Sequence, residues 1–392
     1  SISSPIIKIA ITAIALGIII MLIAVATGAG LQYKIRDKMA GFKGHIQIVN
    51  YDANNSDVST TAIKKNQDFY PKFKNIEGIR NVQIFANKAG ILRTKTDFEG
   101  IIFKGVSTDY DWSFFKEYLV EGVVPDFNQP RTREVLLSET IINRLQLKLN
   151  DTILATFIKT VNSKLPSNKK YIISGIYSTG FLQFDKSMMI GDIREVQKLN
   201  KWTENEVGGF EVLLDNFEEV DEKGEAVYNS ISATLNSKTI VNAYPNVFDW
   251  IELFDNNVWF IIAIMILIAG INMITALLVL ILERVQMIGV LKALGSNNTS
   301  IRKIFLYNAT YLILKGLFWG NIIGLFIIFI QHYFKIITLN PETYYVSTMP
   351  VYISFTAILL LNIGTLILCF LMLIIPSIII TKISPSKSIK FA

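Results

Sequence analysis

Four long apolar blocks interrupt an otherwise mixed chain, at residues 6–29, 258–282, 311–330 and 351–380. Each is close to or beyond the roughly 20 apolar residues that a helix needs to cross a hydrocarbon core. Each also has almost no charge, which sets it apart from the buried helices of a soluble domain. Between the second and third blocks lies a polar, partly basic stretch, 283–305, with its own pattern. Met287, Val290, Leu291 and Leu294 recur at i, i+3, i+4 and i+7, so 286–294 is predicted to be a short amphipathic helix. Gly295 stands where the residue after the helix can take a positive φ, and 296–299 offers capping side chains for a second helix. Ile301, Ile304 and Phe305 are expected on one face of that second helix. So short a helix is marginal alone and needs a surface. The pattern suits the membrane interface and a partner protein equally well.

The region between the first two blocks, 34–255, is long enough for a folded domain with its own core. Strands are predicted at 45–49, 82–92, 101–106, 134–137, 152–158, 171–176, 210–214 and 239–242. Helices are predicted at 138–145, capped by Ser138, and at 217–235. The segment 157–169 contains LPSNKK between two strands and is expected to be an exposed hairpin or loop. The first block begins after Pro5, and its pattern runs on through Leu31, Ile35 and Met39 to Gly41 and Gly44. The helix is therefore expected to continue beyond the bilayer as a stalk.

The fold class expected is a membrane protein: four transmembrane α-helices with a large α+β periplasmic domain inserted between the first and second spans. Its parts are 5–40 (first span and stalk), 44–250 (outer domain) and 256–385 (three spans and the short helix). The first block is too long for a cleaved signal peptide and lacks a small-residue cleavage site. The chain opens on Ser1 rather than Met, so residues upstream are expected.

Charge then orients the spans. Arg284, Lys292, Arg302 and Lys303 follow the second span, and Lys382, Lys387 and Lys390 lie in the tail. The loop 331–350 has Lys335 as its lone Lys or Arg, so the basic loop and both termini are expected in the cytoplasm. This leaves Lys34, Arg36, Lys38 and Lys43 on the outer side, a placement long translocated domains tolerate. The net charge of +6 thus reads as topology and not as a nucleic-acid surface. The one cysteine, Cys369, lies in the fourth span and excludes an intrachain disulfide.

Inside the spans the informative residues are small or polar. Gly316, Gly320 and Gly324 form a fourfold stripe for close helix packing. Ala13 with Gly17, and Ala24 with Gly28, have the same spacing. Asn272, Asn321 and Asn362 are expensive in lipid and should face other helices or a cavity, as interhelical glue before a substrate site. Lys315 can snorkel from the inner end of span three. Catalytic and metal residues are expected to be none. The chain has no G-x-x-x-x-G-K-[ST], G-x-S-x-G or H-E-x-x-H, and its two histidines, His45 and His332, lack neighbours at ligand spacing. No cofactor is expected. The near-absence of carboxylates from the spans also argues against an ion-coupled carrier.

The stretch E-R-x-x-x-I-G-V-L-K-A-L-G at 283–295 resembles the loop of FtsX/MacB-type ABC transporter permeases. The glycine stripe is similar to theirs, and so is the tail, with Pro376-Ser377, Ile383-Ser384-Pro385 and Ser388-Ile389-Lys390. The opening 5–48, the polar turn expected after Trp250, and LKLNDT at 147–152 resemble the LolC/LolE branch, the lipoprotein-releasing permeases. The resemblance covers essentially the whole chain. It implies a permease without ATPase activity of its own, in the inner membrane of a Gram-negative-type bacterium. It implies a cytoplasmic ATPase, a second permease (self or paralogue), a lipoprotein cargo and a periplasmic LolA-like carrier as partners. It assigns ATPase coupling to 286–294, hence Glu283, Met287, Val290, Leu291, Leu294 and Gly295 as coupling residues. It places a carrier-gripping loop at 157–169, with Leu165, Pro166 and Lys169. Two neighbouring functions stay open: a MacB-like mechanotransmission efflux permease, and an FtsX-like signalling permease controlling a cell-wall hydrolase. A third class, a membrane-anchored binding protein without an ATPase, is disfavoured by the loop.

Overall fold

The computed structural model describes residues 3–53, 57–128, 132–157 and 166–382. The chain divides into two compact units. One comprises residues 1–33, 249–338 and 348–392; the other comprises 34–248 and 339–347.

The first unit holds the apolar parts of the long helices. Helices long and apolar enough to cross a bilayer run over Ile7–Lys43, Pro245–Glu283, Asn298–Phe334 and Phe355–Thr381. At 1.5 Å per residue the first three exceed by far the roughly 30 Å of a hydrocarbon core. Trp250 lies inside the second helix, so the polar turn expected after it is absent. Residues 351–354 are not helical; Ser354 instead caps span four by accepting a hydrogen bond from the Ala357 N–H (3.1 Å). Span three and the short helix expected to precede it are one continuous helix, Asn298–Phe334, capped by the Asn297 side chain on the Ser300 N–H. On it Ile301, Ile304 and Phe305 share a face by helical spacing, with Ile301 and Phe305 buried and Ile304 exposed at its edge.

The second unit is built on a sheet. Its strands are β1 (Ile46–Asn50), β3 (Ile79–Arg93), β4 (Phe98–Val106), β5 (Leu119–Gly122), β6 (Glu134–Ser138), β7 (Thr152–Phe157), β8 (Ser167–Tyr177), β9 (Met188–Asp192), β11 (Gly209–Leu214) and β12 (Leu235–Thr239). A separate pair joins β2 (Ile63–Lys64) to β10 (Glu206–Val207). The order is β12-β1-β11-β3-β4-β9-β6-β8-β5, and β7 pairs with both β3 and β8. The pairings therefore close a ring, β3-β4-β9-β6-β8-β7, in which β4–β9 and β6–β8 are parallel. Phe103, Phe157 and Tyr171 fill it, with Phe103 and Tyr171 edge to face at 5.2 Å. Gly90 is required where β3 meets β7, because a Cβ there would lie 2.6 Å from the Phe157 ring.

Two expectations for this unit need correction. The helix predicted over 217–235 is a short turn followed by a helix over Val220–Ser230. Of the strand expected at 239–242, residue 239 alone is in a strand. The edge strand is Leu235–Thr239, and Thr239 then caps the turn Ile240–Ala243 by accepting from the Asn242 N–H (3.2 Å). Capping by the hydroxyl outweighs the β-propensity of the Thr-Ile-Val run.

His45 enters β1 as a structural group. Its Nδ1 accepts a hydrogen bond from the Leu214 N–H (3.0 Å), and burial lowers its pKa to about 4. Protonation destroys this acceptor, and the unfolded chain takes up the proton first. Stability is therefore complete above pH 6.5 and falls as pH drops toward 4, by up to roughly 3 kcal/mol. Thermal melts of the protein at pH 7 and pH 4.5 should differ by less in His45→Gln than in the wild type.

Candidate functional site

Span two ends at Glu283, Arg284 breaks the helical run, and a short helix follows over Val285–Ala293. Its end is a two-bond cap: the Ser296 N–H donates to Leu291 O (3.0 Å) and the Gly295 N–H to Lys292 O (3.1 Å). Gly295 sits at φ +89°, a conformation in which a side chain is strained. Ile288 and Gly289 are buried, and Ile288 packs into the same core as Ile301, Phe305 and Ile380. Leu291 is partly buried against that core, while the Lys292 ammonium donates to Ile380 O (2.7 Å). The predicted stripe is thus split. Met287, Val290 and Leu294 remain exposed, Leu294 by 78%. Held on a fixed, capped helix, these three form an apolar ridge on the face opposite the buried Ile288.

The glycine stripe of span three lies against span one. A Cβ on Gly316 would stand 2.7 Å from Ile14 Cβ, one on Gly320 would collide with Ile18 and lie 2.8 Å from Ala15 O, and one on Gly324 would stand 2.9 Å from Leu22 Cδ1. Of the other small residues, Gly28 approaches Val258 of span two, and Gly270 of span two approaches Met372 of span four.

Asn321 and Asn362 hold spans three and four together. Asn321 Nδ2 donates to Asn362 Oδ1 (2.6 Å) and Asn362 Nδ2 to Asn321 Oδ1 (3.0 Å). Each amide also donates to the carbonyl one turn back in its own helix, Leu317 O or Ile358 O. The pair satisfies itself and offers nothing to a substrate. Asn362→Leu alone should lower the melting temperature in detergent, by the equivalent of about 1–2 kcal/mol, because Asn321 loses its partner in an apolar setting. The double replacement by Leu should recover most of that loss.

In the outer unit the hairpin β7–β8 brackets the expected carrier loop, with Phe157 opposite Ser167. Leu165 lies outside the described residues, as does the tail from Ile383 onward. Pro166 is exposed, whereas Lys169 is a strand residue opposite Ala155.

The sequence reading missed a buried ion pair. Lys104 of β4 and Glu211 of β11 are each about 1% exposed and meet at 2.7 Å. Lys104 also donates to Phe42 O (2.6 Å), and Glu211 accepts from Gln83 Nε2 (3.0 Å). Burial pushes the Lys104 pKa down, opposed by the Glu211 carboxylate. The last turn of the stalk is thereby tied into the sheet. The readable signal was a single opposite charge in each of two apolar strands, IIFKGV and GFEVLL. The four basic residues at odds with the charge rule are likewise partnered. Lys34 pairs with Glu117 (2.8 Å), Arg36 with Glu218 (2.6 Å) and Lys43 with Asp57 (2.5 Å), and Lys38 donates to Tyr345 O (3.3 Å). The segment 339–347 packs on the outer domain through Tyr345, stacked on Phe181 at 5.0 Å. Nearby Asp185 accepts from Thr179 Oγ1 (2.7 Å) and the Gly180 N–H (2.9 Å), yet burial raises its pKa to about 6.

Among the described residues no group of three or more His, Cys, Asp or Glu could hold a metal ion. The features that stand out are mechanical: an exposed ridge, tightly packed spans and a stalk bonded into a folded domain.

Residues 9–229, more than half of the chain, match the MacB-like periplasmic core domain, and residues 259–385 match the FtsX-like permease C-terminal domain. The chain belongs to the MacB/FtsX family of permeases. Within that family it is a LolC/LolE-type permease. It is 17% identical to the lipoprotein-releasing system transmembrane protein LolC of Xylella fastidiosa, over 97% of this chain and 92% of that one. It is 18% identical to LolE of Haemophilus influenzae, over 95% and 91%. Among solved structures it is similar to the periplasmic region of MacB from Actinobacillus actinomycetemcomitans, with 14% identity, a TM-score of 0.36, and coverage of 52% of this chain and 91% of that one. In a LolC/LolE-type permease the ridge Met287–Val290–Leu294 falls in the loop that carries the family resemblance, and the bond from Lys104 to Phe42 O lies wholly within the MacB-like periplasmic core domain.

Proposed function

We propose that this permease releases lipoproteins from the inner membrane to a periplasmic carrier, driven by ATP hydrolysis in a separate cytoplasmic subunit. The observation that carries the reading is the exposed, capped ridge Met287–Val290–Leu294, in a chain similar to LolC and LolE over nearly its full length. The ridge is the docking site for the ATPase, and both termini lie in the cytoplasm with it. Closure of the ATPase moves the short helix, and the bonded elements pass the motion on as rigid bodies. Removing acyl chains from a bilayer costs about 0.8 kcal/mol per CH₂, which is why the step needs ATP. A second permease, a copy or a paralogue, completes the membrane cavity.

The β7–β8 hairpin is the carrier contact in this scheme, with Pro166 beside the strand residues Lys169 and Lys170. Replacing 164–166 by a short Gly-Ser linker removes Leu165 and Pro166 and leaves the paired Ser167 and Asn168 in place. Pull-down of a LolA-like carrier should then fail while ATPase binding persists. Retained carrier binding would move the contact elsewhere. The function itself is tested by reconstitution with the ATPase and a labelled lipoprotein in proteoliposomes. Transfer of lipoprotein to soluble carrier should require ATP, and ATP-independent or absent transfer would count against the proposal.

A further inference from the structure

Spans three and four enclose an apolar groove of about 470 Å³, whose walls include Phe318, Ile322, Leu325, Ile363 and Leu366. Its floor holds Asn321 and Asn362, whose amides are already bonded to each other and to their own helices. The groove is therefore apolar along its length in spite of them. One end is different. Tyr311, Lys315, Phe318, Ile322 and Leu325 follow at alternating steps of four and three, which is one stripe of a helix. Lys315 is exposed, and its Nζ stands 4.5 Å from the centroid of the Tyr311 ring. From Lys315 to Leu325 the stripe rises about 15 Å, half the depth of a hydrocarbon core. A cation with an aromatic neighbour thus stands next to the lining residue Leu314, beside one end of a trough of acyl-chain character.

We infer that this groove holds one acyl chain of an anionic phospholipid from the surrounding membrane, with its phosphate against Lys315. Charge complementarity selects the occupant. A zwitterionic lipid brings its own cation to the same place, and the acyl chains of a lipoprotein bring no phosphate. The site stands whether or not the chain releases lipoproteins.

The test uses the full-length permease, delipidated in detergent and incubated with equal amounts of phosphatidylglycerol and phosphatidylcholine, with retained lipid counted by native mass spectrometry. The wild type should keep phosphatidylglycerol in preference. Lys315→Gln should lose the preference, reducing phosphatidylglycerol to the phosphatidylcholine level. Ile322→Trp, which fills the groove at an exposed position and leaves Lys315 intact, should lose the bound lipid. Equal retention of both lipids by the wild type overturns the proposal. So does a preference that survives either variant, which would place the lipid on another surface. So does a wild-type dimer free of lipid, which would mean that a second copy covers the groove.

Discussion

Gly320→Leu should abolish the folded membrane unit, and it should do so more completely than the same change at Gly316 or Gly324. A Cβ at Gly320 already overlaps Ile18 and lies 2.8 Å from Ala15 O and 3.1 Å from Ala15 Cα. Those last two atoms are backbone and cannot rotate away. Spans one and three would have to separate, losing the contact of Ile14, Ile18 and Leu22 with the core shared by Ile313 and Leu317. At Gly324 the nearest atom is Leu22 Cδ1, the end of a flexible side chain. Overpacking by even one methyl group costs about 1–3 kcal/mol in a well-filled interior. Gly320→Ala should therefore lower the melting temperature in detergent clearly, Gly324→Ala only slightly, and Gly320→Leu should give no monodisperse peak on size exclusion. Equal melting of the Gly320→Ala and Gly324→Ala variants would contradict this packing.

Val290→Asp with Leu294→Asp should leave the permease inserted and monodisperse but remove its ATPase partner on co-purification. Both side chains are exposed, Val290 by 50%, and neither is needed for the chain's own core. A buried carboxylate in an apolar interface lacks a partner, and loss of two central anchors of this kind removes on the order of 4 kcal/mol or more. Leu291→Asp is a poorer probe, since Leu291 packs partly on the permease core. Ile288→Asp is the matching control: it should damage the fold itself, because Ile288 is fully buried. Normal complex formation by the double variant would place the ATPase on another surface.

What was readable in the sequence was local. The apolar blocks, the Ser138 cap and the glycine after the short helix each depend on a few neighbouring residues, and the structure has all three. The strand order depends on partners far apart. β4 lies parallel to β9, and β7 bonds to β3 across some sixty positions, so no local pattern encodes the ring. β9 and the helix Ile193–Asn200 were missed although Asp192 caps the helix and Glu195 follows three residues later. The Met-Met-Ile-Gly-Asp run has little β-branched character to mark it as a strand. At the candidate site, periodicity found the stripe of the short helix but not its division. Only the packing of Ile288 shows that Leu291 turns inward while Val290 and Leu294 face out. Lys104 and Glu211 escaped because each charge looks misplaced until its partner strand is known.

Lipoprotein release is tested in cells. Cells depleted of this permease are fractionated into inner and outer membranes, and a lipoprotein normally found in the outer membrane is followed by immunoblot. Newly made lipoprotein should accumulate in the inner membrane. Wild-type permease should restore export, and the Val290→Asp, Leu294→Asp double variant should not. Unchanged delivery to the outer membrane during full depletion would contradict lipoprotein release.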